Sequence, residues 1–475
     1  MKLAVLNLCC LLVVPSMLSA APPNAAGMVE KQSVMGPLVV HAGNGRYFAT
    51  PDGKPVWLTG SHTWATLQER GIEGETPAFD YEQYLGFMQH HDHNFLRLWA
   101  WEHSQWMQFV DSDVHVRYKP TIFQRTGPGV ALDGAPKFDL TKFNPEFFQR
   151  LRERVEEARK RNIYVSVMFF QGFSVKKPPA SPRSGNNWHG NPFNKLNNIN
   201  GIDGDPSGRD AGHELHTLLT PDVTRVQEAY VRRVIDTLND LENVLWEIGN
   251  ELPASSVEFQ YHMVDSVREY ESSKAKQHLI GMTGAPVKTA ELMASGADWI
   301  SPPGSVWTDN PPPCDGNKII VVDTDHCRAM KYDPDWVWIN FTRGNHFILM
   351  DSYMDFRVGS PKQPDPKWNP TRDAMGAARR LSEQLDLSHM KPLPELASSG
   401  FCLADPGTSW VVFHPGGDSL SVQTGRGRWR ATWLDPITGK AVSHRDVDSA
   451  EVWVSFKPPR PGRWVMLVTK SLQQR

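Results

Sequence analysis

The stretch NVLWEIGNE, residues 243–251, sets two glutamates four residues apart behind a short apolar run. Strand alternation sends Leu245, Glu247, Gly249 and Glu251 to one face. Four residues of strand separate the two carboxyls by roughly 13 Å along the chain. Where such a strand ends at a site, Glu247 lies deep and Glu251 lies at the rim. A rim carboxylate can exchange protons with a bound molecule. A deep one needs a cationic or hydrogen-bonding partner, and Arg97 in HNFLRLWAW is a candidate. Taken alone, Glu251 reads equally well as an acid at a helix N-terminus, where the dipole favours it. A second stretch, VVDTDH at 321–326, changes that balance. Its strand parity puts Asp323 and Asp325 on one face with His326 beside them. Two carboxyl groups flanking a scissile bond are what glycoside hydrolysis requires. Asp323, Asp325 and His326 also have the ligand types that hold a divalent ion. His62, in TGSHTW, can join either arrangement.

These residues need a scaffold that brings distant strand ends together. Eight short apolar runs recur along the chain: 55–61, 93–101, 162–170, 243–250, 277–284, 297–304, 318–325 and 345–352. Helical patterns separate several of them, including NPEFFQRLRERVEEARKR and TPDVTRVQEAYVRRVIDTLNDL, the latter opening on a Thr-Pro-Asp start signal. Strands alternating with helices eight times describe a (β/α)8 TIM barrel, an α/β fold whose site lies at the C-terminal ends of the strands. A doubly wound open sheet is the alternative, but it needs no eighth strand. No GxGxxG follows the first run, which argues against a dinucleotide cofactor. The polar segment 171–220 after the third run is long enough to be a functional loop. Trp188 and His189 within it are expected to face substrate, with a flexible insertion as the plainer alternative. Trp99, Trp101 and Glu102 end strand two and can form a subsite wall, with core packing the alternative for one of the tryptophans; Trp307 follows the sixth run, with a structural role as its alternative. The helix NPTRDAMGAARRLSEQL is expected to close a barrel spanning 21–390. After the linker HMKPLPELASSG, short alternating strands split by turn signals predict a small all-β sandwich over 391–475.

Composition narrows the partners. The 475 residues are 40% apolar and 22% charged with a formal net charge of −3. No basic stripe appears, so neither nucleic acid nor a membrane surface is an expected partner. Seventeen tryptophans serve mainly as core, yet exposed rings also stack on the apolar faces of sugars. Residues 1–20 have the lone Lys2, apolar run and small-residue exit of a secretory signal peptide, which implies a secreted or periplasmic protein. An uncleaved anchor is the alternative. Beyond it lie Cys314, Cys327 and Cys402, of which Cys314 and Cys327 are able to bridge. No CxxC occurs, so no thiolate metal site is expected. The expectation is an enzyme with no metal and no cofactor, acting on carbohydrate. Nothing in the sequence sets its oligomeric state.

WEIGNE behind its apolar run resembles the strand-four signature of the large retaining clan of (β/α)8 glycoside hydrolases, which includes cellulase-like family 5 enzymes. The resemblance implies that Glu251 is the proton donor and that Asn250 hydrogen-bonds the sugar 2-hydroxyl. It also implies that Arg97, on strand two, steadies the nucleophile. GRYFATPDGKPVWLTGSHTW and WLDPITGK resemble a narrower branch, secreted apiosidase-like barrels followed by a β-sandwich often labelled a collagen-binding domain. The clan carries a glutamate at the end of strand seven, where this chain has DTDH. Asp325 is the first choice for that role and Asp323 the second. An aspartate is one methylene shorter, which can widen the carboxyl gap from the value of about 5 Å for retention toward that of an inverting enzyme. The sequence thus predicts a secreted glycoside hydrolase. Its rivals are a non-catalytic carbohydrate- or matrix-binding protein and a metal-dependent hydrolase using the DTDH cluster.

Overall fold

The computed structural model describes residues 36–72, 78–106, 116–175, 185–308, 310–327, 333–351, 353 and 364–471. The expected signal peptide at 1–20 lies outside the described residues. Each of the eight apolar runs contains one strand of a parallel sheet: β1 (Thr59–His62), β2 (Phe95–Leu98), β3 (Tyr164–Gln171), β4 (Val244–Asn250), β5 (Ile280–Thr283), β6 (Trp299–Ser301), β7 (Ile319–Asp323) and β8 (His346–Met350). Neighbours in the sheet follow chain order from β2 to β8, and β8 returns to pair with β1. All eight strands are buried along their length, which is why they read as nearly continuous apolar runs rather than as alternating ones.

The junction between β1 and β2 is closed by Asn94. Its backbone N–H donates to Thr59 O at 3.0 Å, and its side-chain Oδ1 accepts from Thr59 N at 2.9 Å. Gly60 lets the strands come this close, because a Cβ there would sit 1.8 Å from Phe95 O. The barrel is therefore nearly closed around its ring, with helices outside it. The helices are α1 (Tyr81–His90), α2 (Pro145–Lys160), α3 (Pro221–Leu238), α4 (Val257–Ser272), α5 (Thr289–Ala294), α6 (Pro334–Thr342) and α7 (Asn369–Ser382). Asn144 caps α2 by accepting from Glu146 N, with Pro145 in the first turn. Phe147, Phe148, Leu151, Val155 and Ala158 form the buried stripe of α2, the 3.6-residue spacing that the sequence shows. No described helix is long and apolar enough to cross a membrane. Cys314, Cys327 and Cys402 are buried free thiols, so the Cys314–Cys327 bridge is not formed.

Downstream of α7 the chain builds antiparallel sheets: β9 (Lys391–Pro392), β10 (Cys402–Asp405), β11 (Ser409–His414), β12 (Leu420–Gln423), β13 (Gly427–Leu434), β14 (Ala441–Ser449), β15 (Trp453–Phe456) and β16 (Trp464–Lys470). Six of them form one sheet, and β12 pairs with β15 in a second. Trp410, Val412, Val422, Trp429, Phe456 and Met466 fill the core of these sheets. Two strands escape the sequence pattern. Segment β14 is exposed on both faces as the edge next to β13, so AVSHRDVDS carries no apolar alternation. Segment β9 falls inside the stretch read as a linker.

This β region packs on the barrel through α6. Trp338 Nε1 donates to Pro436 O at 2.7 Å, and Arg463 reaches Asp335 at 2.8 Å. Burial and the neighbouring Asp333 raise the Asp335 carboxyl from 3.8 to about 6, against the pull of Arg463. A raised carboxyl adds stability below its unfolded value and loses it as pH climbs through the folded one. Asp335→Asn should therefore be close to neutral at pH 4 and stabilising by about 1–2 kcal/mol at pH 7. Urea midpoints of both proteins at the two pH values measure this; an equal difference at both would refute it.

Candidate active site

The floor of the barrel mouth is organised by Arg97 on β2. Its Nε donates to Glu247 Oε2 at 3.1 Å, and its Nη2 donates to Glu247 Oε1. The same Nη2 also donates to Asn250 Oδ1 at 2.9 Å, and Nη1 donates to Asp323 Oδ2 at 2.7 Å. Ser166 Oγ and Thr283 Oγ1 supply the remaining bonds to Glu247, each at 2.9 Å. Asp323 Oδ1 receives His62 Nε2 and the backbone N–H of Asp325, also at 2.9 Å each. Trp99 Nε1 donates to His62 Nδ1 at 3.2 Å, so the His62 proton sits on Nε2, facing Asp323. Burial works against the charge on Asp323, but His62 and Arg97 outweigh it and hold its carboxyl well below the usual carboxylate range. Burial likewise opposes the Arg97 charge, and Glu247 and Asp323 override it. Arg97, Glu247 and Asp323 are all fully buried.

Above this floor stand Glu251 and Asp325, both half-buried. A carboxylate oxygen of each and a ring nitrogen of His326 lie within 4.8 Å of one another. Neither acid is on a strand, which corrects the alternation argument that placed them. Strand β4 ends at Asn250, and Glu251 turns the chain with φ at +48°, a left-handed conformation uncommon for a residue with a Cβ. Strand β7 ends at Asp323, and the turn that follows carries Asp325 to the rim. Gly172, just past β3, makes room for the Glu251 turn: a Cβ there would sit 1.7 Å from Glu251 O. Gly172→Ala should push the Glu251 turn out of place and destabilise the fold by about 1–3 kcal/mol; the urea midpoint of the variant checks it.

Asn250 Nδ2 is buried and has no hydrogen-bond partner among the described residues. Its Oδ1 accepts from both Arg97 Nη2 and His326 Nε2, each at 2.9 Å. His326 Nδ1 lies 3.3 Å from Ser301 Oγ. Asp325 lies 3.7 Å from His326 Nε2 and 4.0 Å from Arg97 Nη1.

Residues 88–292 match the model of a family described as a domain of unknown function, DUF6298. The match spans β2 to β5, hence Arg97, Asn250 and Glu251, and stops before Asp323. No curated protein matches the chain. Among solved structures, the fold is similar to a Bacteroides vulgatus protein described as a candidate glycoside hydrolase, at 13% identity and a TM-score of 0.64, covering 93% of this chain and 83% of that one. It is similar also to a glycoside hydrolase family 5 protein from Bacteroides vulgatus, at 13% identity and a TM-score of 0.60, covering 92% and 94%. A third neighbour is described only as a glycoside hydrolase, at 14% identity and a TM-score of 0.58, covering 92% and 97%. Over most of its length the chain thus shares its fold with these three solved structures.

The structure sorts the remaining candidates. Arg97, His62, Asn250, His326, Asp323 and Asp325 gather around Glu251. Trp101 is buried, stacked between Trp99 and Tyr118, and offers no open ring face. Trp188 is buried against Gly212, where a Cβ would meet its ring at 2.4 Å. Trp307 is buried too. Those three tryptophans are core, because a buried ring has no open face to stack on sugar. Glu102 accepts from Gln171 N, Ser174 Oγ and His216 Nε2 at 2.8–3.1 Å, so it pins the start of the long loop rather than a substrate. His189 is half-buried and pairs with Asp210 inside its own loop. The described part of that loop is held by asparagines: Asn197 Nδ2 donates to His189 O and Asn191 O, and Asn198 Nδ2 donates to Pro192 O. Ser166, Thr283, Ser301 and Gly172 were not singled out from the sequence. Their signal was present: three hydroxyls interrupt apolar strands, where a buried polar group needs a partner.

Proposed function

We propose that the chain is a glycosidase cleaving O-glycosidic bonds of an oligosaccharide or polysaccharide through Glu251 and Asp325, with retention of configuration. The observation that carries this is the placement of their carboxylate oxygens within 4.8 Å at the barrel mouth. A gap near 5 Å suits a nucleophile and an acid/base, whereas inversion needs room for a water between the carboxyls. Asp323 suits the nucleophile role less well. Both its oxygens are engaged and it is fully buried. Glu251 protonates the leaving oxygen while Asp325 attacks the anomeric carbon. Glu251 then takes a proton from water as the glycosyl ester is hydrolysed. Secretion through the leader and an accessory role for the β region belong to the same proposal.

The test is a panel of aryl glycosides and plant and microbial polysaccharides, with the first-formed anomer followed by NMR. Product of retained configuration is expected. Inverted product would overturn the nucleophile, and binding without cleavage across the panel would favour a non-catalytic carbohydrate-binding protein.

The cluster of Glu251, Asp325 and His326 also has metal-ligand types. The hydrogen bonds argue against a metal there. An arginine only donates, so the Asn250 atom facing Arg97 is the oxygen. His326 Nε2 must then donate to that oxygen, and its lone pair is not available to a cation. The Asp323 ligand of the DTDH reading is excluded by its bonds to Arg97 and His62. Turnover should be unchanged after exhaustive chelation; a loss restored by one divalent ion would support the metal reading.

A further inference from the structure

The Asn250 amide is fixed at one end and open at the other. Its Oδ1 takes two donors, while its Nδ2 is buried with no partner among the described residues. A buried amide donor left unpaired costs about 1–3 kcal/mol, so a ligand that supplies an acceptor regains that amount. The direction of the amide depends on both donors. Arg97 is a shared resource with three acceptors to serve. His326 has a single task there, and its own direction is set from behind by Ser301.

We infer that His326 and Ser301 are positioning residues that aim Asn250 Nδ2 at the substituent next to the scissile bond. They thereby make the enzyme selective for sugars with a hydrogen-bond acceptor there. The chain of donors runs one way: Ser301 Oγ–H to His326 Nδ1, His326 Nε2–H to Asn250 Oδ1, and Asn250 Nδ2–H to the sugar. Each link follows from the one before, since Arg97 forces Oδ1 to accept. Full burial lowers the His326 imidazole from its usual value, beyond what Asp323 restores, which favours the neutral ring. Reversal of the ring tautomer would set two acceptors against each other at Asn250 and release the amide to rotate. Ser301 lies on β6 and His326 just after β7, so the device reaches Asn250 from strands other than its own.

The inference rests on the glycosidase reading, and two measurements separate the failure of one from the failure of the other. The first is kinetic, on whichever 4-nitrophenyl glycoside of the panel the protein cleaves, paired with its 2-deoxy analogue. The wild-type ratio of kcat/KM for the 2-hydroxy over the 2-deoxy sugar is expected to be about 10–100-fold, the worth of one such hydrogen bond. His326→Ala should collapse the ratio toward that of Asn250→Ala. Ser301→Ala should lower it part-way, and His326→Gln, whose amide can still donate to Oδ1, should restore part of it. Equal losses on both sugars in His326→Ala would reduce His326 to a structural residue and overturn the inference. The second measurement is the side-chain ¹⁵N spectrum of His326, which needs no substrate. A proton on Nε2 upholds the relay even where no glycoside is cleaved, and a proton on Nδ1 overturns it.

Discussion

Glu251→Gln is expected to lower turnover by about 10²–10⁴-fold on glycosides with poor leaving groups, with a loss that shrinks as the leaving group becomes more acidic. The reason is the division of labour at the mouth. A leaving oxygen of high basicity needs a proton as its bond breaks, whereas a dinitrophenolate departs without one. Glutamine keeps the size of Glu251 and the turn at φ +48° but has no proton to give or take. On a dinitrophenyl glycoside the first step therefore proceeds and the second stalls, because water no longer meets a base. A burst of dinitrophenolate followed by slow turnover is expected, and added azide, a nucleophile that needs no base, should relieve the stall. Asp325→Asn has a different signature, since without the nucleophile the loss is uniform across leaving groups. A uniform loss in Glu251→Gln would remove the acid role from Glu251. Undiminished turnover would remove it from the mechanism.

The scaffold was legible from the sequence because barrel strands are buried on both faces. Such strands leave uninterrupted apolar runs, and each of the eight runs marked one strand of the barrel. The edge strand β14 left no such trace, for it has no buried face to record. The site was legible where chemistry and spacing coincide, at Glu247, Glu251 and Arg97. Strand parity was the wrong instrument for the last step. Both rim carboxylates sit one or two residues past the strand end, where turns replace alternation. No rule of period two predicts a left-handed Glu251, yet Gly172 on the neighbouring strand end is its counterpart. The tryptophans misled for a related reason. A ring that can stack on sugar can equally close a core, and Trp101, Trp188 and Trp307 do the second. Residue type alone does not separate the two uses; burial does.

The second large effect lies beneath the reacting pair. Arg97→Met is expected to cost about 3–5 kcal/mol of stability, the usual penalty for stripping the cation from buried carboxylates. Methionine fills most of the volume, so the loss is electrostatic rather than a cavity. Glu247 keeps Ser166 and Thr283, and Asp323 keeps His62, but neither keeps a positive charge within reach. Arg97→Lys should recover only part, because one ammonium cannot match the fork that spans Glu247, Asn250 and Asp323. The pH dependence identifies the cause. In the wild type Asp323 is held below its unfolded value, so its contribution is present at neutral pH and fades only in strong acid. In Arg97→Met the buried Asp323 loses the guanidinium that helps hold its carboxyl low, and acidification relieves it. The stability difference between the two proteins should therefore be largest at pH 7 and smaller at pH 5, as read from urea midpoints. A difference independent of pH would assign the loss to packing. Adding Glu247→Leu to Arg97→Met should restore stability relative to Arg97→Met alone, since it removes one stranded charge. Activity would not return with it, because Asn250 has lost one of the two donors that hold its amide and the rim no longer rests on a fixed floor.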